Sequence, residues 1–294
     1  MILVTKDSLA DERLAQAAAD AREIDVRRTF RRAVGDTVAA VDRKELSAAV
    51  LTANETLVER AVPWDIFSEK LSEISFTLQA SAATGISLAA EALIRRRRKL
   101  SLLDLTPVAQ RAYRIIDRQS FDAVQGIAVE SRAAVRTILK NGVVTGAHID
   151  EIGENLTAAI GLNLRQAETL AKYQAALIAE GVPDVKRILM VGKRARKMLK
   201  VRGDTISRTE VMTAINAGKN EVYEELLASG VVTATEAYRV WLTAKDERVC
   251  SICGPANGQR QPIGVPFNVG GMLLMYPGAH ARCRCTIILR LKTE

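Results

Sequence analysis

The residues best suited to chemistry lie in the last 45 positions of the chain, which hold all four cysteines and one of the two histidines. They form the pattern Cys250-x2-Cys253-x26-His280-x2-Cys283-x-Cys285. Thiolates and imidazole are preferred ligands of Zn²⁺, and the Cys-x2-Cys spacing lets two thiolates hold one tetrahedral ion. The pattern predicts a structural zinc site in which Cys285 competes with Cys283, because a closed site takes four ligands.

Two other interpretations of these cysteines stay open. The thiols could be reduced and buried in a core, or they could form disulfides, which are disfavoured in the cytoplasm where the chain is made. A metal site would close the long segment rich in glycine and proline between the two halves of the pattern. No separate catalytic group accompanies the cluster, so the predicted site is structural.

A second polar motif lies upstream of the cysteines. Ser207 and Glu210 have the Ser-x-x-Glu spacing of a capping box, which predicts a helix start and a helix from about Arg208 to Leu227. We expect Arg208 to pair with a carboxylate near the cysteines, such as Asp246. The alternative is a surface pair that contributes well under about 1 kcal/mol to stability.

The formal net charge of +8 is concentrated in two short blocks of the sequence. Residues 91–100 contain five basic residues against one acid, and residues 191–200 contain five basic residues and no acid. Such blocks indicate either phosphate contacts to DNA or a solvated helix face. The candidate phosphate contacts are Arg95, Arg96, Arg97, Arg98, Lys99, Lys193, Arg194, Arg196, Lys197 and Lys200.

Hydrophobic periodicity places these residues on a mainly helical chain. Residues 8–200 predict successive helices, with Thr106-Pro107 and Asn163 as helix starts. After residue 230, two short strands are predicted at 238–243 and 285–291, with a loop at 254–278. The predicted fold is a mainly α N-terminal helical region with a small α+β C-terminal domain, divided as 1–105 (N-terminal helical region), 106–200 (central helical region) and 201–294.

Several function classes are disfavoured by the sequence. No stretch of the sequence is long and apolar enough to span a bilayer. The apolar run at the start of the chain is too short for a signal peptide, so we expect synthesis in the cytoplasm. No phosphate-binding loop, nucleophile elbow or metalloprotease helix is present. His148 and the adjacent Glu224 and Glu225 are interpreted as helix-surface or structural residues. We therefore expect no enzymatic activity.

Four segments in order resemble the phage Mu F-like minor head proteins, a family that includes the SPP-one-type minor capsid protein. The segments are Ile160-Gly-Leu-Asn-Leu-Arg-Gln-Ala-Glu-Thr-Leu-Ala-Lys-Tyr, Ile206-Ser-Arg-Thr-Glu with Ala214-Ile-Asn-Ala-Gly, Trp241-Leu-Thr-Ala-Lys-Asp-Glu-Arg-Val-Cys-Ser-Ile-Cys, and His280-Ala-Arg-Cys-Arg-Cys. The resemblance assigns the family's Arg-Thr-Glu motif to Arg208, Thr209 and Glu210. It assigns the family's cysteine motifs to the cluster described above.

The resemblance implies a minor component of a tailed phage or prophage head, located in the head interior near the portal vertex. Its implied roles are head morphogenesis and DNA packaging or ejection, and its implied partners are the portal protein and the major capsid or scaffolding protein, with double-stranded DNA as a further candidate. The alternatives are a sequence-nonspecific DNA-binding protein of the particle interior and, more remotely, an enzyme similar to ADP-ribosyltransferases.

Overall fold

The computed structural model describes residues 6–95, 104–244 and 249–292. The chain divides into two compact units that interleave along the sequence. The first, called the sheet unit, comprises Met1–Val26, Ile74–Ser120 and Thr205–Glu294. The second, called the helical unit, comprises Arg27–Glu73 and Phe121–Asp204. Three of the four boundaries between them fall inside helices, and neither unit is one continuous stretch of sequence.

Helices make up most of the described chain, which confirms the predicted mainly helical class. Their bounds are α1 Lys6–Ala39, α2 Arg43–Leu51, α3 Glu55–Ala61, α4 Trp64–Ser72, α5 Ile74–Arg95, α6 Thr106–Val144, α7 Ile149–Ala159, α8 Leu164–Ala179 and α9 Asp184–Ala228. Among the helices of the described residues, none has the length and apolarity needed to cross a membrane.

The helical unit is built on local start signals and one buried ion pair. Asn163 and Gln166 form the predicted capping box at the start of α8, each side chain accepting from the other residue's backbone N–H. The fully buried Glu151 accepts from Gln174 Nε2 at 2.9 Å and from Arg187 Nε at 3.1 Å. This buried hydrogen-bond network links α7, α8 and the first turn of α9.

The sheet unit contains the strands β1 Ala237–Leu242, β2 Arg260–Pro262, β3 Phe267–Val269, β4 Met272–Leu274 and β5 Thr286–Leu291. Three of them form an antiparallel sheet in the order β2-β1-β5, and β3 pairs with β4 as a hairpin. Trp241 and Phe267 are both fully buried and meet edge to face with ring centroids 5.5 Å apart. The predicted strands at 238–243 and 285–291 are thus confirmed.

Helices α5 and α9 cross without side chains between them. A Cβ atom at Gly85 would lie 2.0 Å from the Ile215 carbonyl oxygen, and one at Gly218 would lie 2.0 Å from the Ala82 carbonyl oxygen. Only glycine therefore allows the two backbones to approach this closely at both points. The crossing fixes α9, on which the C-terminal strands pack.

Two sequence predictions are wrong. The helix expected to begin near Arg208 begins at Asp184, so Ser207 and Glu210 lie in the middle of α9 and form no capping box. Gly203, just before them, does not end the helix; its missing side chain accommodates Phe30, which would lie 3.2 Å from a Cβ there. The segment 254–278, expected to be loop, contains a 3₁₀ turn and the short strands β2, β3 and β4.

The expected boundary between residues 105 and 106 coincides with the start of α6. The expected boundary between residues 200 and 201 falls inside α9, which runs without interruption from Asp184 to Ala228. The threefold domain division therefore differs from the two compact units described above.

Candidate metal centre

The five predicted metal ligands come together at one place in the sheet unit. Cys250 and Cys253 precede and begin the 3₁₀ turn, while His280, Cys283 and Cys285 lie on the approach to β5. The ligand atoms of Cys250, Cys253 and His280 lie within 4.8 Å of one another, as do those of Cys253, Cys283 and Cys285. Cys253 belongs to both sets, so the two halves of the sequence pattern meet at this thiol.

The separation between the sulfur atoms of Cys253 and Cys283 suits two ligands of one small tetrahedral ion, and His280 Nε2 lies at hydrogen-bond distance from two thiols. Cys253 Sγ lies 4.0 Å from Cys283 Sγ, and His280 Nε2 lies 2.9 Å from Cys250 Sγ and 3.2 Å from Cys253 Sγ. Two thiolates on one Zn²⁺ at about 2.3 Å each would be separated by roughly 3.8 Å. A cavity of about 20 Å³ adjoins these side chains, which is room for one ion or one water molecule. The donor set therefore fits a metal.

The imidazole of His280 is oriented by the backbone. Its Nδ1 lies 2.8 Å from the carbonyl oxygen of Ala281. A carbonyl oxygen can only accept, so Nδ1 is placed to donate to it, and this bond directs Nε2 towards the thiols. This is the arrangement found where histidine is a metal ligand.

The thiols influence one another's ionisation. Hydrogen bonding from Cys253 and then from Cys285 lowers the pKa of Cys283. Interaction with Cys253 and Cys283, together with burial, raises the pKa of Cys285. The thiolate form of Cys283 is thus stabilised by the neighbouring thiols. Ionisation of a second buried thiol is unfavourable unless a cation compensates the added negative charge.

The loop that carries His280 and Cys283 is attached to the middle of α9. Thr209 Oγ1 accepts a hydrogen bond from the backbone N–H of Arg282 at 2.8 Å. Arg282 adopts a left-handed φ of +63°, so this bond holds a strained residue between two of the cluster's members. Thr209 therefore positions the loop, although it is not itself a ligand.

Arg208 connects the same loop to α1. Its guanidinium donates to Gln16 Oε1 at 3.1 Å and pairs with Asp20 and with Glu23, the latter at 2.6 Å. Gln16 in turn donates through Nε2 to the carbonyl oxygen of Arg284, between Cys283 and Cys285. The carboxylate partners of Arg208 thus lie on α1, and Asp246, the partner expected from the sequence, lies outside the described residues.

Two buried α9 side chains that were not predicted from the sequence hold the strand following the cluster. Asn216 donates to the carbonyl oxygen of Cys285 at 2.9 Å and accepts from the N–H of Ile287 at 3.2 Å. Lys219 donates to Thr286 Oγ1 at 2.9 Å, and burial lowers the pKa of its ammonium to about 8. Asn216 lies in the quoted segment Ala214-Ile-Asn-Ala-Gly, which was the only available signal.

Arg239 was also not predicted, because no sequence pattern singled out this strand residue. It is fully buried and donates to Asn220 Oδ1 at 2.6 Å and to the carbonyl oxygens of Met275 at 2.7 Å, Val265 and Pro262. Burial lowers the pKa of its guanidinium. A single side chain thereby satisfies the carbonyls of the segment that the sequence predicted to be loop.

The structure describes one of the two predicted basic blocks in full and only part of the other. Lys193, Arg194, Arg196, Lys197 and Lys200 are all exposed on α9 in the helical unit. Arg95 ends α5, and its side chain lies outside the described part of the chain, as do residues Arg96, Arg97, Arg98 and Lys99 in full.

The residues assigned to structural roles behave as such. His148 is the N-cap of α7, and its Nδ1 accepts from the N–H of Asp150 at 3.4 Å. Glu225 forms an ion pair with Arg111 at 2.6 Å, and Arg111 forms a second ion pair with Glu221 at 3.2 Å. Of the two adjacent acids, Glu225 is therefore held in an ion pair, while Glu224 is half-buried.

A predominantly helical protein with a small C-terminal sheet and a clustered Cys/His donor set is the class defined by this fold and site. The family model described as Phage Mu protein F like protein matches residues 133–288, more than half of the chain. The chain therefore belongs to the phage Mu F-like family, a family of phage head morphogenesis proteins. Comparison with curated proteins and with solved structures found no match.

Proposed function

We propose that the chain is a minor head protein of a tailed phage or prophage that acts at the portal vertex, in head assembly and in DNA packaging or ejection. The observation that carries this proposal is the family match, which spans both the helical segments from residue 133 and the cysteine cluster.

The cysteine cluster would bind one structural Zn²⁺ in this function. The support lies in the donor set, the separations of 2.9 to 4.0 Å and the orientation of His280. An ion bound there would supply folding free energy to the segment between Cys253 and His280, because it would join the two ends of that segment. Its role would be to fix the C-terminal surface that a partner recognises.

The proposed partners are the portal protein and the major capsid or scaffolding protein. Amphipathic helices dock into apolar grooves on partners, and the helical unit offers exposed apolar side chains such as Leu189 and Val185 one turn apart on α9. The chain would be located in the head interior near the portal. An ADP-ribosyltransferase-like activity remains the remote alternative, and Glu225 in its ion pair with Arg111 gives it no support.

Quantitative mass spectrometry of purified DNA-filled particles tests this proposal. We expect a few copies of the chain for each portal ring, far fewer than copies of the major capsid protein. A matched preparation of empty procapsids shows whether the chain enters before DNA. Absence from both kinds of particle, with normal assembly after deletion of the gene, would contradict the proposal.

A further inference from the structure

The hairpin of β3 and β4 presents large apolar side chains to solvent in the sheet unit. Leu273 in β4 is 70% exposed, and Met272 beside it is 37% exposed. Ile252, between the cysteines of the Cys-x2-Cys pair, packs over the hairpin turn, because a Cβ atom at Gly270 would lie 2.9 Å from its Cγ2. We call the outer side of β4, with its side chains and its outward backbone groups, the hairpin edge.

The register of the hairpin decides which backbone groups of β4 point outward. Val269 pairs with Met272, and Asn268 pairs with Leu273. Residues 270–271 join the strands through two glycines with φ of +59° and +86°, which is the pattern of a two-residue hairpin turn. In such a hairpin the residues that flank the turn form the hydrogen-bonded pair, and hydrogen-bonded and non-hydrogen-bonded pairs alternate along the strands. The pair of Asn268 and Leu273 therefore directs its N–H and C=O groups outward.

The outward groups of the two strands have different surroundings. On β3, the carbonyl oxygen of Asn268 accepts from Gln259 Nε2 at 3.3 Å, which agrees with its outward direction. On β4, β3 is the one paired strand, and within the part of the chain that the structure describes no other element bonds to the N–H or the carbonyl oxygen of Leu273. These two groups are therefore free to pair with another molecule.

The charge of the C-terminal segment indicates the kind of partner that suits this edge. Residues 249–292 contain five basic residues and no aspartate or glutamate. Arg260, Arg282 and Lys292 among them are exposed. Arg260 directly follows Gln259, the residue whose side chain contacts β3. Electrostatic complementarity therefore favours a partner segment that carries carboxylates over one that carries basic residues.

We propose that the hairpin edge binds an extended segment of a partner protein, in which acidic side chains alternate with apolar ones, as an added strand beside β4. This inference rests on the proposed function, in which the chain assembles with other head proteins. The N–H and carbonyl oxygen of Leu273 pair with the backbone of the segment, as in other proteins that bind a peptide at a sheet edge. The side chains of Leu273 and Met272 contact its apolar residues, and the nearby cations attract its carboxylates.

The test is fluorescence anisotropy with the full-length chain and three labelled peptides of about ten residues, the length of a long strand. In the first peptide glutamate alternates with valine, in the second lysine alternates with valine, and in the third glutamate alternates with serine. We expect the glutamate–valine peptide to bind at least about tenfold more tightly than either of the others, since only it matches both the charge and the apolar side chains of the hairpin edge.

Variants of Leu273 separate the contribution of the side chain from that of the backbone. L273E should weaken binding of the glutamate–valine peptide at least about tenfold, because it replaces an apolar contact with a like charge. The matched control is L189E, which makes the same change at a leucine that is 67% exposed on α9, and it should alter the affinity less than about twofold. L273P should bind about fivefold more weakly than L273A, because proline removes the outward N–H but no bond to β3.

Circular dichroism and thermal unfolding of each variant show whether the fold is intact, and L273A and L273E keep the test decisive if L273P does not fold. The inference is overturned if the glutamate–valine peptide does not bind at up to about 1 mM, or if the lysine–valine peptide binds equally well. It is also overturned if L273E and L189E weaken binding equally, or if folded L273P binds as L273A does, since the added strand requires the N–H.

These outcomes are distinguishable from failure of the proposed function. A chain that is present in particles but does not bind the glutamate–valine peptide retains the proposed function and loses the hairpin edge as a docking site. A chain that is absent from particles yet binds this peptide through Leu273 has the opposite result.

Discussion

The hydroxyl of Thr209 lies 2.8 Å from the backbone nitrogen of Arg282 and accepts its proton, while donating its own to the Thr205 carbonyl, also at 2.8 Å. Both capacities of this hydroxyl are thus in use, one within α9 and one across to the loop between His280 and Cys283. The middle of a long helix therefore holds the cysteine cluster in place, through a residue that is not a metal ligand.

Replacing Thr209 with valine should weaken metal binding while leaving the helix intact. The substitution leaves the N–H of Arg282 without its partner, and we expect Zn²⁺ affinity to fall by about tenfold or more, as for other residues that support metal ligands. Competition with a chromophoric chelator measures the change. T169V is the control, because Thr169 makes the same bond to the carbonyl four residues earlier, at 2.8 Å, on an exposed helix surface. Equal affinities for T209V and T169V would contradict this role.

The cluster has five donors, of which four should hold the ion. Cys283 Sγ lies 4.0 Å from Cys253 Sγ, a separation that suits two ligands of one ion, and we take it as the fourth ligand in preference to Cys285. We expect C250S, C253S and C283S each to reduce zinc to a small fraction of one ion per chain, and C285S to retain about one. Elemental analysis after dialysis measures the content. Retention by C283S with loss in C285S would assign the fourth position to Cys285 instead.

Glu210 should make stability depend on pH. Burial raises the pKa of this carboxyl from 4.5 to about 7. Between these values the unfolded chain releases the proton that the folded chain keeps, so stability falls as pH rises and levels off above about pH 7. E210Q removes this effect and should exceed the parent in stability by about 1 to 3 kcal/mol at pH 8, with a difference that shrinks towards pH 4. Urea unfolding across this range measures it; parallel profiles would refute it.

The buried pair of Glu151 and Arg187 should be costly to break from either side. E151Q leaves a guanidinium that is only 10% exposed with the half-exposed Asp184, at 3.0 Å, as its one remaining counter-charge, and we expect a loss of about 3 kcal/mol. The double replacement E151L/R187M should recover a large part of that loss, since no unpaired charge remains buried. The control is E154Q, whose exposed carboxylate pairs with Arg43 and should contribute less than about 1 kcal/mol. Urea denaturation followed by circular dichroism measures all three.

Local patterns predicted much of the fold. The capping box of Asn163 and Gln166 and the strands around residues 238 and 286 were found because their signals act between neighbours in sequence. The helix start predicted from the Ser207 and Glu210 spacing was wrong, because a capping box marks the start of a helix only where the preceding residues are not already helical. Gly203 lies within the continuous helix and packs against Phe30. The two residues are 173 positions apart in the sequence, so no local pattern reveals this contact.

The candidate site was predictable in its ligands but not in its supports. Cysteine and histidine are rare in this chain, so their clustering was visible at once. Gln16 is some 270 residues from the cluster, and its bond to the Arg284 carbonyl has no sequence signal. Arg239 was hidden for a different reason, because a charged side chain in a strand is ordinarily read as facing water. Buried polar groups that satisfy distant backbone are a property of the tertiary fold alone.

Strand β5 is an outer strand of its sheet, and the bonds made by Asn216 and Lys219 have a consequence for that edge. The N–H of Ile287 is taken by Asn216, and its carbonyl oxygen receives Lys219 Nζ at 3.4 Å. Where the N–H and carbonyl groups of an outer strand are unpaired, a strand of another molecule can form hydrogen bonds with them. Two side chains of α9 thus occupy both backbone groups of Ile287, so a strand of another molecule cannot pair with β5 at this residue.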